Sequence, residues 1–253
     1  MDHVVIERHE DIALVRMHRG KANPINRALV EDMFEAFKRL EHDPEFNAVI
    51  LASASEKIFC AGFDMDEVFA YDRPGMAAFF GRFMDLFNYL VRFPKPTIAA
   101  VNGHALAGGA IFALVCDERI FVEGNYGFAL NEIDLGIVLT PGIFQLAANA
   151  MGVNHARTFV LTGESLSPEA AFDVGAVRAL VPREDLETAA LKRAAELAAK
   201  PPQAMGILKG LVADHTGFPK ETADRAYLDV FLDHWFSEEC LSARKAVAAK
   251  VRK

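Results

Sequence analysis

Along the chain, apolar and polar positions group into short strand-like runs separated by helical stripes. Residues 3–8 and 12–18 partly alternate, with His9, Glu10 and Asp11 between them, and predict an N-terminal hairpin. After a break over 20–24, Leu29, Val30, Met33, Phe34, Phe37 and Leu40 recur at helical spacing. Asn26 is the expected N-cap, and Pro44 sets the limit of that helix. Apolar runs at 48–52, 97–101, 119–122 and 177–181 predict strands, and 58–65 reads as a glycine-containing loop. Helical patterns cover 76–93, 143–151, 154–161, 168–174 and 186–199. Pro201-Pro202 is the candidate boundary between a core of 1–200 and a region of 201–253 that reads as wholly helical.

The stretch 97–117, TIAAVNGHALAGGAIFALVCD, is central. It reads as a strand, a small-residue loop with Gly103, Gly108 and Gly109, and a helix ending near Cys116. The first turn of a helix carries N–H groups without internal partners, and glycine lets another molecule approach them. Such a loop suits an oxygen bearing negative charge, although ordinary βα units look the same.

Composition narrows the classes. At 253 residues, 52% hydrophobic and 25% charged, the chain reads as one sizeable globular domain with room for an appendage. A net charge of −8 argues against general nucleic-acid binding, and the apolar runs are too short and glycine-rich to span a bilayer. No export signal is visible at the start, and Cys60, Cys116 and Cys240 match no metal-ligand spacing, so a reducing cytoplasm is the expected location. Cys116 reads as a buried structural thiol, and Cys60 has no base beside it in sequence that would make it a nucleophile. Glu132 interrupts an apolar segment after a strand, and Phe79, Phe80, Phe83 and Phe87 form a stripe that suits either core or the wall of an apolar tunnel.

Taken together, the motifs resemble the crotonase, or enoyl-CoA hydratase/isomerase, superfamily over essentially the whole chain. They are Phe59-Cys60-Ala61-Gly62-Phe63-Asp64, the run from Lys95-Pro96 through Asn102-Gly103-His104 to Gly108-Gly109, Cys116-Asp117, Leu161-Thr162-Gly163 and Val181-Pro182. Each is weak alone, and their order and spacing carry the signal. The resemblance implies an α/β crotonase fold: repeated ββα units in a spiral core, with a C-terminal helical region that joins subunits into homotrimers or hexamers. It implies an acyl-CoA thioester as substrate and partner, with no metal or separate cofactor. It places two backbone donors at the thioester oxygen, on Phe63 and Gly108, and CoA contacts on backbone near the first loop, at Ala61, Gly62, Asp64 and Met65.

Hydration of a double bond benefits from two carboxylates, one handling water and one delivering a proton. In the hydratases of this family, the first glutamate stands two residues beyond the glycine pair, where this chain has Ile111, and no Asp or Glu lies between Thr97 and Cys116. The second is present: Leu130-Asn131-Glu132 with Leu135-Gly136 is similar to the single-glutamate 3,2-enoyl-CoA isomerases, which are also apolar at the Ile111 position. The implied reaction moves a double bond from position 3 to trans-2, with Glu132 as proton shuttle. The alternatives are a single-glutamate hydratase, dehydratase or thioesterase, and a non-catalytic acyl-CoA-binding scaffold. Asn131 suits orienting the carboxylate, contacting substrate or stabilising the turn. His104 and Asp134 read as structural, as does the Asp64 carboxylate, and Lys21 or Arg27 are candidates for the CoA phosphates.

Overall fold

The computed structural model describes residues 1–218 and 226–251. Strands β1 (Val4–His9) and β2 (Ile12–Met17) form the expected antiparallel hairpin, closed by a two-residue turn in which Glu10 has φ 55°. Helix α1 (Arg27–His42) follows, and the side chain of Asn26 accepts from Leu29 N–H as its N-cap. Every residue of β3 (Ala48–Ser53) and β5 (Thr97–Val101) is buried, as expected of strands covered on both faces.

These strands, with β7 (Glu118–Val122) and β9 (Ala179–Val181), form a six-stranded sheet in the order β1-β2-β3-β5-β7-β9, parallel from β2 onward. A second, parallel sheet has the order β4-β6-β8, from Ile58–Cys60, His104–Leu106 and Phe128–Ala129. Each pass of the chain contributes one strand to the large sheet and the next to the small one: β3 and β4, β5 and β6, β7 and β8. Helices follow these pairs: α2 (Met65–Val68) with α3 (Arg73–Val91), then α4 (Gly108–Leu114), then α5 (Pro141–Thr162). This is the repeated ββα spiral of the crotonase fold.

Several elements differ from expectation. The segment after Val101 is a turn at Asn102-Gly103 and a three-residue strand, β6, before the helix, rather than one loop. A strand of three residues has no readable alternation, and its pairing with β4 and β8 is non-local. Helix α3 starts three residues before Met76, because Asp72 caps it through Gly75 N–H and Pro74 is tolerated in a first turn. Within α5, Gly152 (φ 78°, ψ 154°) separates two helical segments, as the pattern predicted. After α6 (Pro168–Asp173), α7 (Leu186–Ala198) packs on the large sheet.

Among the described residues the C-terminal region is helical, as its pattern predicts, and is divided into separate helices. Helix α8 (Pro202–His215) ends at Thr216-Gly217, with Gly217 left-handed at φ 74°. Helices α9 (Leu228–Trp235) and α10 (Glu238–Val251) are separated at Phe236-Ser237, where the Ser237 hydroxyl accepts from Cys240 N–H. Positions 219–225 and 252–253 of the predicted helical run lie outside the described residues. This region folds back on its own core: Phe231 stacks on Phe80 with ring centroids 3.6 Å apart, and Lys209 donates to Asp117. No helix among the described residues is long and apolar enough to cross a membrane.

Candidate active site

The small sheet organises the site. β4 runs out into Ala61, Gly62 and Phe63, β6 into Ala107 and Gly108, and β8 into Leu130, Asn131 and Glu132. Because the three strands are parallel neighbours, all three segments leave the same carboxyl-terminal edge, where α/β sheets characteristically bind ligands.

Phe63 forms a parallel bridge with Ile25. The bonds of that bridge belong to its neighbours: Ile25 N–H donates to Gly62 O at 2.7 Å, and Asp64 N–H donates to Ile25 O at 2.8 Å. In such a ladder the bridged residue directs its own N–H away from the partner. Among the described residues the Phe63 N–H has no acceptor. Nor does that of Gly108, which as the first residue of α4 lacks an intrahelical partner.

The two donor loops touch. A β-carbon on Gly62 would lie 3.3 Å from Gly108 N, and one on Gly108 would lie 3.5 Å from Gly62 Cα and 2.8 Å from Ile25 Cδ1. Gly109 is closer still to its neighbour, since a β-carbon there would fall 2.0 Å from Cys60 O. Ala107 sits between strand and helix at φ 49°, ψ −122°, a conformation that side chains rarely adopt. Its N–H donates to Ala129 O at 2.8 Å, which ties the strained residue to β8.

Glu132 opens a 3-10 turn, Glu132–Leu135, and is 8% exposed. Burial pushes its carboxyl up to about 7, opposed by its own backbone N–H. Among the described residues, Oε2 has no hydrogen-bond partner. A carboxyl raised toward neutrality can both take and return a proton. Ile111, on the second turn of α4, is buried and apolar.

Other candidates have defined positions. Asp64 caps α2 through Glu67 N–H and pairs with Arg19 at 2.6 Å, so its carboxylate is engaged within the fold. Met65 begins α2 and packs half-buried against the core, while Ala61 is exposed. Asn131 lies on a cleft of about 500 Å³ shared with His104, Asp134 and Ser165 on the outer face of the small sheet. His104 accepts from Gly127 N–H at 2.9 Å, in keeping with a structural role. Lys21 and Arg27 are exposed, with the Arg27 guanidinium 5.7 Å from the Tyr71 ring centroid. Cys60 is fully buried, with its thiol pushed up to about 12 by burial, so it is no nucleophile; Cys116 is buried likewise. The phenylalanine stripe is core: Phe79 and Phe83 each meet the Phe63 ring edge to face at 5.0 Å.

Asn23, Arg19 and Arg119 brace the surrounding backbone without any motif in the sequence to mark them. Arg119 is buried and donates to the carbonyls of Ala176 and Cys116 at 2.5 and 2.7 Å, placing a cation at the C-terminal end of α4. Its alternation within a strand carried no sign of that role. A cavity of about 400 Å³ lies at this end of α4, between α5, α7 and α8, away from Gly108.

The family model described as Enoyl-CoA hydratase/isomerase matches residues 7–247. A short-chain-enoyl-CoA hydratase from Clostridium acetobutylicum is 31% identical over 210 residues, 83% of this chain and 80% of that protein. A carnitinyl-CoA dehydratase from Salmonella enteritidis is 31% identical over 249 residues, 97% of this chain and 95% of that one. The crystal structure of human mitochondrial delta3-delta2-enoyl-CoA isomerase superposes with a TM-score of 0.94 at 24% identity, covering 99% of this chain and 98% of that one.

Proposed function

The chain belongs to the enoyl-CoA hydratase/isomerase family, and from that premise we propose that it is an enoyl-CoA isomerase converting 3-enoyl-CoA to trans-2-enoyl-CoA. The observation that carries the proposal is the Glu132 carboxyl: it is buried, has no partner at Oε2 among the described residues and is raised to about 7, while Ile111 is buried and apolar where hydratases need an acid. Similarity to the human isomerase, at 24% identity, speaks to fold alone, so the choice of reaction rests on these residues.

In the proposed reaction, the Glu132 carboxylate removes the proton at C2. The C2–H electron pair moves into the conjugated system and charge collects on the thioester oxygen. The N–H groups of Phe63 and Gly108 meet that oxygen, and a preorganised donor of this kind contributes about 3 to 4 kcal/mol to the transition state. The protonated Glu132 then returns the proton to C4. CoA would lie along the backbone of Ala61, Gly62, Asp64 and Met65, with its phosphates near Lys21 or Arg27. The exposed stripe Ile207, Leu208, Leu211 and Val212 on α8 supports assembly of subunits into a homotrimer or hexamer.

A second reading, hydration or dehydration through Glu132 alone, is favoured by the 31% identity to a hydratase and a dehydratase. Separate incubations with 3-hexenoyl-CoA and crotonyl-CoA distinguish the two. Isomerisation of the first without hydration of the second is expected, and the reverse result overturns the proposal.

A further inference from the structure

We infer that Asn23 is a positioning residue of the oxyanion hole, holding the backbone of 59–64 so that the Phe63 N–H points at the substrate oxygen. The inference rests on reading that N–H as an oxyanion donor.

Asn23 is fully buried and left-handed, with φ 47°. Every polar atom it has is engaged. Its Oδ1 accepts from Arg19 N–H at 2.7 Å, and Nδ2 donates to Ser53 Oγ at 2.8 Å and to Phe59 O at 3.0 Å. Its backbone N–H donates to Arg19 O at 3.0 Å, and its carbonyl accepts from the Cys60 thiol at 3.1 Å. On either side of it, Ala22 O accepts from Ala61 N–H, and Ile25 takes the two bonds that flank Phe63. Arg19 completes the brace, donating to Pro24 O at 2.7 Å and to the Asp64 carboxylate at 2.6 Å.

The segment 19–25 therefore grips Phe59, Cys60, Ala61, Gly62 and Asp64, and takes no hydrogen bond from the Phe63 N–H between them. Asparagine suits this hub on two counts. It tolerates the left-handed region, and its amide supplies both a donor and an acceptor. Glycine would meet only the first requirement. An aspartate would keep the acceptor and direct an anion at the Phe59 carbonyl.

A bound thioester reports the outcome through its carbonyl stretch, which falls in frequency when donors polarise it. The probe is carbonyl-labelled hexanoyl-CoA, whose binding requires no turnover. Wild type should shift this band downward. Asn23→Gly, which keeps the backbone conformation and loses the amide, should lose about half of that shift, with kcat for 3-hexenoyl-CoA falling about 10- to 100-fold and KM changing less than about 3-fold. Arg19→Met, which leaves the buried asparagine in place, should show the same signature more weakly, and it serves if Asn23→Gly does not fold. Variants that melt earlier yet keep the wild-type band and kcat would overturn the inference while leaving the site reading intact. A wild-type complex with no downward shift would overturn the reading of Phe63 as a donor, and this inference with it.

Discussion

Cys240 lies directly against Gly136: a β-carbon on the glycine would come within 3.1 Å of the cysteine Cα, and the thiol donates to Leu135 O at 3.3 Å. Gly136, left-handed at φ 65°, ends the turn that Glu132 begins. A helix at the far end of the chain thus packs on the turn carrying the candidate base. The preceding helix reaches the other half of the site, because Phe231 stacks on Phe80, whose ring meets that of Phe63. The C-terminal helices support both halves of the site from within one subunit.

Replacing Cys240 with phenylalanine should therefore affect catalysis more than substrate binding. The cysteine is fully buried, and overpacking there costs about 1 to 3 kcal/mol. Cys240→Phe is expected to lower kcat about tenfold, since small displacements of a catalytic group are costly, with little change in KM. Steady-state kinetics alongside urea unfolding checks this. A folded variant with normal kcat would uncouple the C-terminal helices from the Glu132 turn.

The raised carboxyl of Glu132 has two consequences with opposite demands on pH. The unfolded chain ionises this group above 4.5 and the folded protein only above about 7, so the stability it contributes is complete below pH 4.5 and lost as pH rises through 7. Glu132→Gln stays neutral and should be more stable than wild type at pH 8 by about 3 kcal/mol, an advantage that vanishes at pH 4.5. Turnover should be abolished in the same variant, and wild-type kcat/KM should rise with pH through about 7 as the base ionises. Urea unfolding at the two pH values and a pH–rate profile check both. Equal stability at pH 8, or near-normal turnover, contradicts the assigned role.

The adjacent glycines should separate folding from function. In Gly109→Ala the new methyl would meet backbone, Cys60 O, at 2.0 Å, so the strand must move and the cost is expected to be about 3 kcal/mol or more. In Gly108→Ala its tightest neighbour is Ile25 Cδ1, the end of a flexible side chain, at 2.8 Å. That variant should fold with modest loss and act chiefly on turnover, because the methyl enters the contact between the two donor loops. Thermal melts and kcat for both variants give the comparison, and a reversed order of effects would refute it.

Much of the local architecture is legible in the residues themselves. The hairpin, the Asn26-capped helix and the core strands follow from periodicity and capping chemistry, and so do the two segments either side of Gly152. Strand β6 and the breaks within the C-terminal helices are not legible. A strand of three residues exists only through its partners, and whether Ser237 stops a helix depends on how α9 and α10 pack. Within the site, Gly62, Gly108 and Glu132 stand out as types and spacings. Asn23 does not, because its importance lies in bonds to Ser53 and Phe59, 30 and 36 residues away.

By itself, then, the sequence determined the family, the loops able to present backbone donors and Glu132 as the candidate acid, since those are matters of residue type and order. Only the tertiary structure decided that, among the described residues, the N–H groups of Phe63 and Gly108 have no acceptor and that Glu132 is buried enough for its carboxyl to be raised toward neutrality. It also decided that Asp64 braces the fold with Arg19. Free donors, desolvation and ion pairing are each set by what lies across a contact, and contacts between distant segments are made only when the chain folds.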